Sequence, residues 1–465
     1  MRRKGSSSVN DTLTVKEHLA DTPVVAQCDV VVVGGGPAGV SAAVSAARNG
    51  LSVTLLERYP SLGGLASGGM VLVLDDMING SEITVTGICS EYVERLERIG
   101  LAVLPPEEDR RSSVETWNRW GRYGTFDFHS TEHPKPVCYA VAFDPDGWKR
   151  VSNDLVREAG VNLRLHSWFS RVVMEDGRIR GVVAETKSGP QAVLADVVID
   201  TTGDIDVAAR AGAPYVKDSY LTTLVFRLGG VDTDAAEAFE QADPKQARAI
   251  NKAIKRALGG AWELWWLKTP IPGVVWCNAP HMTGFDGTDP ASLTEAEYVS
   301  REKIATAVEL TRATLPGFEN CYVLDVAEQM GVRQTRLLQG EYVMTVDDVR
   351  NRRHFPDSVA RGRDYYYPYR SLLPRRVDQL LVAGRHYSAT PQAQKMSREI
   401  PPCMAMGQAA GMAASLAVEQ GIVVRDVDPL DIQRLMRKHG ADPGDVPSTN
   451  AGVASPDSLE SEVEQ

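Results

Sequence analysis

The feature that most constrains the fold is a strand, a glycine loop, a helix and a second strand that follow one another near the start of the chain. A β-branched run at 30–33 predicts a strand buried on both faces of a parallel sheet. The loop GGGPAG occupies 34–39, and the alanine-rich segment behind it predicts a helix that stops at Gly50. A second strand is predicted at 53–56 and ends at Glu57. This order predicts an α/β domain with a Rossmann-like parallel sheet.

The glycine spacing in this unit matches a dinucleotide-binding fingerprint. A chain with 40 glycines produces a lone GxGxxG by chance, but here a strand precedes the pattern, a helix follows it and an acid comes next. Gly34 permits the tight turn, Gly36 lets a pyrophosphate approach the backbone, and Gly39 lets the helix pack close to the strand. The start of the helix would bind phosphate oxygens, and Glu57 would bind ribose hydroxyls. The predicted contacts are Gly34, Gly36, Pro37, Ala38, Gly39 and Glu57.

A second glycine-rich loop bears on the identity of the cofactor. Arg58 follows the acid directly, and the loop SLGGLASGG occupies 61–69. NAD does not need such a loop, whereas a longer cofactor would run along it with its ribityl chain and isoalloxazine ring. The pattern therefore favours FAD over NAD. It adds Arg58, Gly63, Gly64 and Leu65 to the predicted contacts.

Later strands place the rest of this domain in separate segments of the chain. The Asp-Gly pair at 176–177 lies between two apolar runs and predicts a β-hairpin. Buried strands are predicted at 197–200 and at 380–383. The predicted ranges are a mobile arm at 1–24, an FAD-binding domain at 25–75, 149–215 and 375–435, an inserted α+β substrate or cap domain at 76–148 and 216–374, and a disordered acidic tail at 440–465.

Three motifs carry a resemblance to a known family. They are the Glu-Arg pair at 57–58 with its glycine loop, the segment ADVVIDTTGD at 195–204, and LLVAGR at 380–385 with PPCMAMGQAAG at 401–411. Over about 25–435 the chain resembles FAD-dependent oxidoreductases that have the glutathione-reductase-type FAD fold and are distantly related to fumarate reductase flavoproteins. Supporting stretches are GVRQTR at 331–336, GEY at 340–342 and PYRSLLP at 368–374.

The resemblance implies a three-layer FAD-binding domain and further contacts with the cofactor. In such proteins the final helix aims its N-terminus at the flavin C2 carbonyl, where its dipole stabilises the reduced, anionic flavin. The implied contacts are Val172, Thr202, Gly203, Gly384, Arg385, Met404 and Gly407. The resemblance also implies a flavoprotein with a role in secondary metabolism or catabolism.

Missing motifs narrow the predicted chemistry. No cysteine lies between Glu57 and Met70, where a disulfide reductase of this fold has its redox pair. No second GxGxxG has a strand before it, so a dedicated NAD(P)H domain is not expected. We therefore predict a dehydrogenase or reductase that exchanges a hydride between flavin N5 and a small organic substrate. A flavin-dependent monooxygenase is disfavoured by Gly384-Arg385, where such enzymes have Gly-Asp, and it stays an alternative, as does an electron-transfer subunit of a complex.

The candidate catalytic residues follow the late strand. His386 and Tyr387 come directly after the flavin-contacting segment, and His386 is a candidate acid or base, with a satisfied loop histidine as the alternative. Arg398 is a candidate anchor for a substrate carboxylate or carbonyl, or else a clamp on loop carbonyls. Arg333 with Arg336 forms a second candidate anion anchor, for which the alternative is a salt bridge with Glu341.

The predicted cap contains most of the aromatic residues. The first insert carries Tyr123, His129, His133 and Tyr139, and either histidine could bind FAD covalently, although non-covalent FAD is the expectation. Three tryptophans have the spacing of one helix face: Trp262, Trp265 and Trp266. Such a face would serve for packing or as a substrate lid. The tyrosine-rich segment at 365–369 predicts an extended stretch that lines the cleft between the domains.

Composition bears on partners and location. The net charge of −11 argues against nucleic acid as a partner. The sequence contains no apolar run of 18 residues, so no membrane-spanning helix is predicted. The six cysteines contain no CxxC pair, so neither a metal site nor an iron–sulfur cluster is expected. We predict a cytoplasmic protein whose partners are a small-molecule substrate and an external electron acceptor or donor. Whether the protein forms a homo-oligomer stays an open question at this point.

Overall fold

A computed structural model describes residues 21–79, 82–110, 113–124, 141–262 and 264–448, and its central element is a parallel sheet. The strands of this sheet are β1 (Val24–Val33), β2 (Val53–Leu56), β3 (Asn162–Arg164), β4 (Trp168–Glu175), β5 (Arg178–Thr186), β6 (Gly189–Asp200) and β7 (Leu380–Val382). Five of them pair in parallel in the order β3-β2-β1-β6-β7. On its other side, the first half of β6 pairs with β5, and β5 pairs with β4, as antiparallel hairpins.

The β-branched run in β1 is buried because both faces of the sheet are covered. Val30 and Val32 point into a core shared with two long helices, and Val31 and Val33 point into a second core on the other face. All four are between 0 and 3% exposed. The side chains alternate between the two cores, as the period of a strand requires.

Two helices pack on one face of the sheet at very short range. They are α1 (Pro37–Arg48) and α3 (Ile400–Gln420), and the short α2 (Pro391–Lys395) precedes α3. A Cβ atom on Gly407 would lie 2.1 Å from the Ala38 carbonyl oxygen, and one on Gly411 would lie 2.5 Å from that of Ala42. Only glycine allows this approach, because atoms at such distances overlap. The final helix that the resemblance implies is present as α3.

A second group of elements, which we call the cap, lies outside the parallel sheet. Its four-stranded antiparallel sheet has the order Trp266–Lys268, Val275–Cys277, Phe226–Gly229, Tyr322–Val326. A three-stranded sheet beside it contains Thr222–Thr223, His281–Met282 and Gly331–Val332. The helices of this part are Thr233–Ala242, Pro244–Ala257 and Pro290–Thr314. This mixture confirms the expected α+β elements beside the parallel sheet.

The remaining elements are short or peripheral. The other strands are Val73–Leu74, Ile78–Asn79, Glu82–Ile83, Ala102–Val103, Val141–Phe143, Tyr215–Lys217, Arg336–Leu338, Ser358–Arg361 and Tyr366–Pro368. The other α-helices are Gly64–Ser67, Ile88–Arg98, Val114–Trp120, Pro145–Glu158, Asp206–Arg210, Val346–Arg350 and Pro429–Lys438. Among the residues that the structure describes, no helix has both the length and the apolar composition that crossing a membrane requires.

The tryptophan spacing predicted a helix wrongly. The preceding helix ends at Ala257, and Gly259 and Gly260 adopt φ values of +75° and +141° that a helix cannot continue. Trp266 instead begins a strand. Trp265 and Trp266 pack on Phe318 with ring centres 6.0 and 5.4 Å apart, so the packing role is the one observed for these two side chains.

The four strands predicted for the parallel sheet and the hairpin are all present, whereas β3 was not predicted. The tyrosine segment is extended only at Tyr366–Pro368, and its side chains are buried in packing contacts rather than exposed to the central cavity. His129, His133 and Tyr139 lie outside the described residues, as do 1–20 of the predicted arm and 449–465 of the predicted tail.

Candidate cofactor and substrate site

A cavity of about 910 Å³ opens where the parallel strands end. Its walls include the residues that follow β1, β2, β6 and β7, so the carboxyl ends of four neighbouring strands meet there. From the opposite side it is lined by residues of the cap, including Trp262, Trp276 and Arg333. The crevice beyond the carboxyl ends of the strands is the ligand-binding position of open α/β sheets.

The first glycine loop forms the floor of this cavity at one end. Gly34 has φ +106°, and a Cβ atom there would lie 2.4 Å from the Thr201 carbonyl oxygen, so the turn requires glycine. Gly36 is different, because its φ is −70° and the nearest atom to a Cβ would be Gly64 Cα at 3.9 Å. Gly36 therefore faces open space and keeps the backbone accessible. The N–H groups of the first turn of α1 have no side-chain cap and remain available to a ligand.

Glu57 connects the ends of β1 and β2. Its Oε2 accepts a hydrogen bond of 2.6 Å from Gly35 N–H, and its Oε1 accepts one of 2.8 Å from Tyr59 N–H. Burial raises the pKa of this carboxyl group, while the two backbone donors act in the opposite direction. Each oxygen can accept more than one hydrogen bond, so the carboxylate can hold the loop and still bind a ribose hydroxyl.

The wall beside Arg58 comes from the start of β4. The Arg58 guanidinium lies 5.0 Å from the ring centres of both Tyr59 and Trp168. Phe169 lines the cavity, whereas Val172, three residues further along the same strand, does not. The strand begins at Trp168, and the cavity contacts only its first residues.

The structure brings most of the predicted site residues to one cavity. The lining contains Gly34, Gly36, Pro37, Ala38, Glu57, Arg58, Gly64, Leu65, Thr202, Gly203, Gly384, Arg385, His386, Arg333 and Arg398. Gly39, Gly63, Val172, Tyr387, Met404 and Gly407 lie outside it. Gly39 and Gly407 are packing positions: a Cβ atom on Gly39 would lie 1.8 Å from the Gly34 carbonyl oxygen. Gly63 N–H donates to the Gly35 carbonyl at 2.8 Å and so holds the two glycine loops together.

Cationic side chains gather at the cap end of the cavity. Arg333 Nη2 donates to His281 Nε2 at 3.2 Å, and its guanidinium lies 5.7 Å from the Trp262 ring centre. Arg398 Nη1 lies 3.3 Å from Glu399 Oε1. Burial, and then the charges of Arg333 and Arg398, lower the pKa of His281 to about 2. His281 is therefore neutral.

The observed partners exclude one predicted salt bridge and show where the Tyr387 side chain lies. Arg336 pairs with Asp206, and Glu341 pairs with Arg425 at 2.9 Å, so the predicted salt bridge between Glu341 and the arginines was wrong. Tyr387 does not reach the cavity. Its hydroxyl lies 2.6 Å from Ser397 Oγ, so it braces the residue that precedes Arg398.

Sequence reasoning missed several residues that line the cavity. Lys395 lies over the Tyr220 ring, 4.4 Å from its centre, and has no carboxylate within ion-pair distance in the described part of the chain. Trp276 and Leu267 face each other across two paired strands and form part of an apolar wall. No local spacing relates these positions to the glycine motifs, so only the folded chain shows that they share a site.

The fold and the cavity together define a dinucleotide-binding α/β protein. The chain belongs to the FAD dependent oxidoreductase family, whose sequence profile matches residues 29–366 and 361–436. The predicted resemblance is thereby confirmed, and FAD is the cofactor that this family of oxidoreductase enzymes uses.

Relatives match over limited parts of the chain. Digeranylgeranylglycerophospholipid reductase 1 of Methanococcoides burtonii is 25% identical over 218 residues, which are 46% of this chain and 47% of the reductase. Fumarate reductase (cytochrome) of Shewanella frigidimarina is 49% identical over 59 residues, 12% of this chain and 10% of that protein. The matches thus span less than half the length of either relative. The solved structure of flavin-dependent brominase Bmp2 is 13% identical, with a TM-score of 0.48, and covers 94% of this chain and 98% of that chain.

The residues around the cavity fit FAD. The open space in front of Gly36 is a cradle that a side chain would fill, and the uncapped start of α1 faces it. The start of α3 lies at the same cavity, which Glu399, Ile400 and Cys403 line, so a second helix presents the positive end of its dipole. His386 is 1% exposed and contributes a polar ring to the wall between these two helices and the cap.

Proposed function

We propose that this chain is a dehydrogenase or reductase that exchanges a hydride between non-covalently bound FAD and a small organic substrate. The observation that carries the proposal is that one cavity runs from the Gly36 cradle, past Gly384 and His386, to the cationic end of the cap. FAD supplies hydride exchange at N5 when it is bound. An external acceptor or donor of electrons completes the turnover.

We assign the cofactor end to the residues that follow the parallel strands. Gly36 and the start of α1 bind the pyrophosphate, and Glu57 binds the adenosine ribose. Gly203 and Arg385 lie together beyond them, because a Cβ atom on Gly203 would lie 2.6 Å from the Arg385 guanidinium. Arg385 also donates to Asp204 at 3.2 Å, which fixes its direction. We keep the proposed division into an FAD-binding domain (25–75, 149–215, 375–435) and a cap (76–148, 216–374).

We assign the other end to the substrate. Arg333 and Arg398 bind a carboxylate or carbonyl oxygen, since a guanidinium offers several donors in a fixed plane. Leu267 and Trp276 provide an apolar wall for the body of the substrate. His386 lies between the two ends and holds or releases the proton that accompanies the hydride.

Anaerobic reduction tests this proposal. We expect at least one small carboxylic acid or alcohol, from a panel of donors, to bleach the yellow absorbance of the FAD-loaded protein in the absence of oxygen. An added acceptor such as a quinone should then restore the colour. Rapid oxidation of NADPH in air with formation of a hydroxylated product would contradict the proposal in favour of a monooxygenase.

A further inference from the structure

One buried side chain joins the two ends of the cavity. Gln394 lies in α2 and is 0% exposed. Its Nε2 donates hydrogen bonds to the Arg333 carbonyl at 3.0 Å and to the Arg385 carbonyl at 2.9 Å. Arg333 follows the cap strand Gly331–Val332, Arg385 comes soon after β7, and both residues line the cavity. A single NH₂ group therefore bridges the cap and the segment that leaves the parallel sheet.

The direction of the Gln394 amide is fixed by the partner of its oxygen. Oε1 accepts a hydrogen bond of 2.8 Å from Gln334 Nε2, which also donates to the Pro391 carbonyl at 2.9 Å. A reversed amide would place Oε1 against two carbonyl oxygens and the NH₂ group against a donor, so the network has one satisfactory orientation. Gln334 is 2% exposed, so both amides lie away from solvent.

The shared NH₂ group sets the distance between the two carbonyls that it binds. The two hydrogens of an amide diverge by about 120°, so two acceptors that each lie about 3 Å from the nitrogen are about 5 Å apart. Loss of the Gln394 donors would remove both hydrogen bonds and let the two segments separate at this point.

Two other links join the same segments further along the chain. Asp204 accepts hydrogen bonds from Thr335 Oγ1 at 2.6 Å and from Arg385 at 3.2 Å. Leu338 N–H donates to the His386 carbonyl at 3.2 Å. We therefore expect the protein to fold without the amide bridge, and the bridge to fix the end of the cap segment that carries the guanidinium anchor.

We propose that Gln394 is a positioning residue that fixes the Arg333 anchor relative to the segment after β7, and so fixes the bound substrate relative to the flavin. The use of Arg333 as an anchor rests on the proposed function. A shift of about 1 Å in the approach of two reacting groups slows a reaction by about 10²-fold. The bridge connects the substrate end directly to the cofactor end, so it limits such a shift.

Side-chain NMR of the FAD-loaded protein tests the bridge itself. Glutamine side chains are labelled with ¹⁵N, and the Gln394 signal is assigned by its loss in Gln394→Glu or Gln394→Met. Because both of its hydrogens are bonded and buried, we expect this NH₂ group to exchange with solvent at least about 10²-fold more slowly than an exposed glutamine amide. Exchange at the rate of an exposed amide overturns the inference.

Gln394→Glu tests the consequence for the reaction. A carboxylate has the same shape but cannot donate, so both carbonyls lose their partner. The probe is the carboxylic acid or alcohol from the donor panel that bleaches the wild-type flavin. Relative to the wild-type protein at pH 9, we expect flavin reduction at saturating donor to slow about 10²-fold, and the dissociation constant of the donor to change less than about 3-fold because both guanidinium anchors remain. The relative rate should recover in part toward pH 6, since the protonated acid again donates one hydrogen bond.

Gln433→Glu is the matched control. Gln433 is 2% exposed, and its Nε2 also donates to two backbone carbonyls, those of Pro356 at 2.8 Å and Ser358 at 2.9 Å. None of these three residues lines the cavity. The control should lower the melting temperature by a similar amount and leave flavin reduction unchanged.

The outcomes separate this inference from the proposed function. Normal reduction by folded Gln394→Glu, or an equal loss in Gln433→Glu, overturns the inference alone. Gln394→Met takes the place of the charged variant if that variant does not fold, and the wild-type exchange rate decides if neither folds. A protein that holds no FAD, or a yellow protein that no donor reduces, contradicts the proposed function and with it the role of the bridge.

Discussion

Gly36→Val is expected to give a folded protein that holds no FAD. The backbone at Gly36 is extended, with φ −70° and ψ −176°, a conformation that a β-branched residue before proline adopts readily. The nearest atom to the new Cβ would be Gly64 Cα at 3.9 Å, so the Cβ itself meets no protein atom that must move. The methyl groups of the valine occupy the cradle that we assign to the pyrophosphate. Flavin absorbance per protein chain should fall by at least about 10-fold, since a bulky group against bound phosphate removes several kcal/mol of affinity.

The neighbouring glycine of the same motif is the matched control for this prediction. A Cβ atom on Gly39 would lie 1.8 Å from the Gly34 carbonyl oxygen. Gly39→Ala should therefore lower the melting temperature of the apoprotein, or prevent folding, whereas Gly36→Val should leave that temperature nearly unchanged. A yellow Gly36→Val protein with normal FAD content would show that the pyrophosphate does not bind at this loop.

Arg398→Ala is expected to retain FAD and to lose turnover. Arg398 lines the cavity at its cap end, and its charge adds to burial and to Arg333 in lowering the pKa of His281. Removing one partner of a buried, hydrogen-bonded charge pair costs about 3 kcal/mol, so kcat/KM should fall about 10²-fold. The measurement is steady-state kinetics with the donor that bleaches the flavin, together with the flavin content of the same preparation.

Two further variants make the Arg398 result specific. Arg398→Lys keeps the charge without the planar donors and should recover part of the activity. Arg370→Ala removes an arginine whose side chain is 48% exposed and paired with Asp357, and it should leave kcat/KM unchanged. Normal turnover by Arg398→Ala would remove Arg398 from the substrate site.

The parallel sheet and the cofactor end of the cavity could be predicted because their signals are local. One short stretch of sequence contains both signals: a glycine that needs a positive φ, Gly34, and the acid at the end of the next strand, Glu57. The final helix was predictable for the same reason, because the glycines that allow it to approach α1 lie on consecutive turns of that one helix. These features need no knowledge of distant contacts.

The cap end could not be predicted in the same way, because its residues meet only in the folded chain. Lys395 and Tyr220 are in contact although 175 residues separate them along the sequence. The tryptophan spacing failed because it ignored Gly259 and Gly260, which end the helix before the tryptophans begin. Tyr387 follows His386 in the sequence but does not line the cavity, and its hydroxyl contacts Ser397 Oγ instead, because neighbouring residues need not point to the same side.

The visible spectrum of the purified protein, recorded before and after acid denaturation, tests the central claim most directly. We expect a yellow protein that releases FAD into the supernatant at about one equivalent per chain. Yellow colour that stays in the precipitate would contradict the proposed non-covalent binding and indicate a covalent bond to the flavin. A folded, colourless protein that takes up no FAD on incubation with the cofactor would contradict the account as a whole.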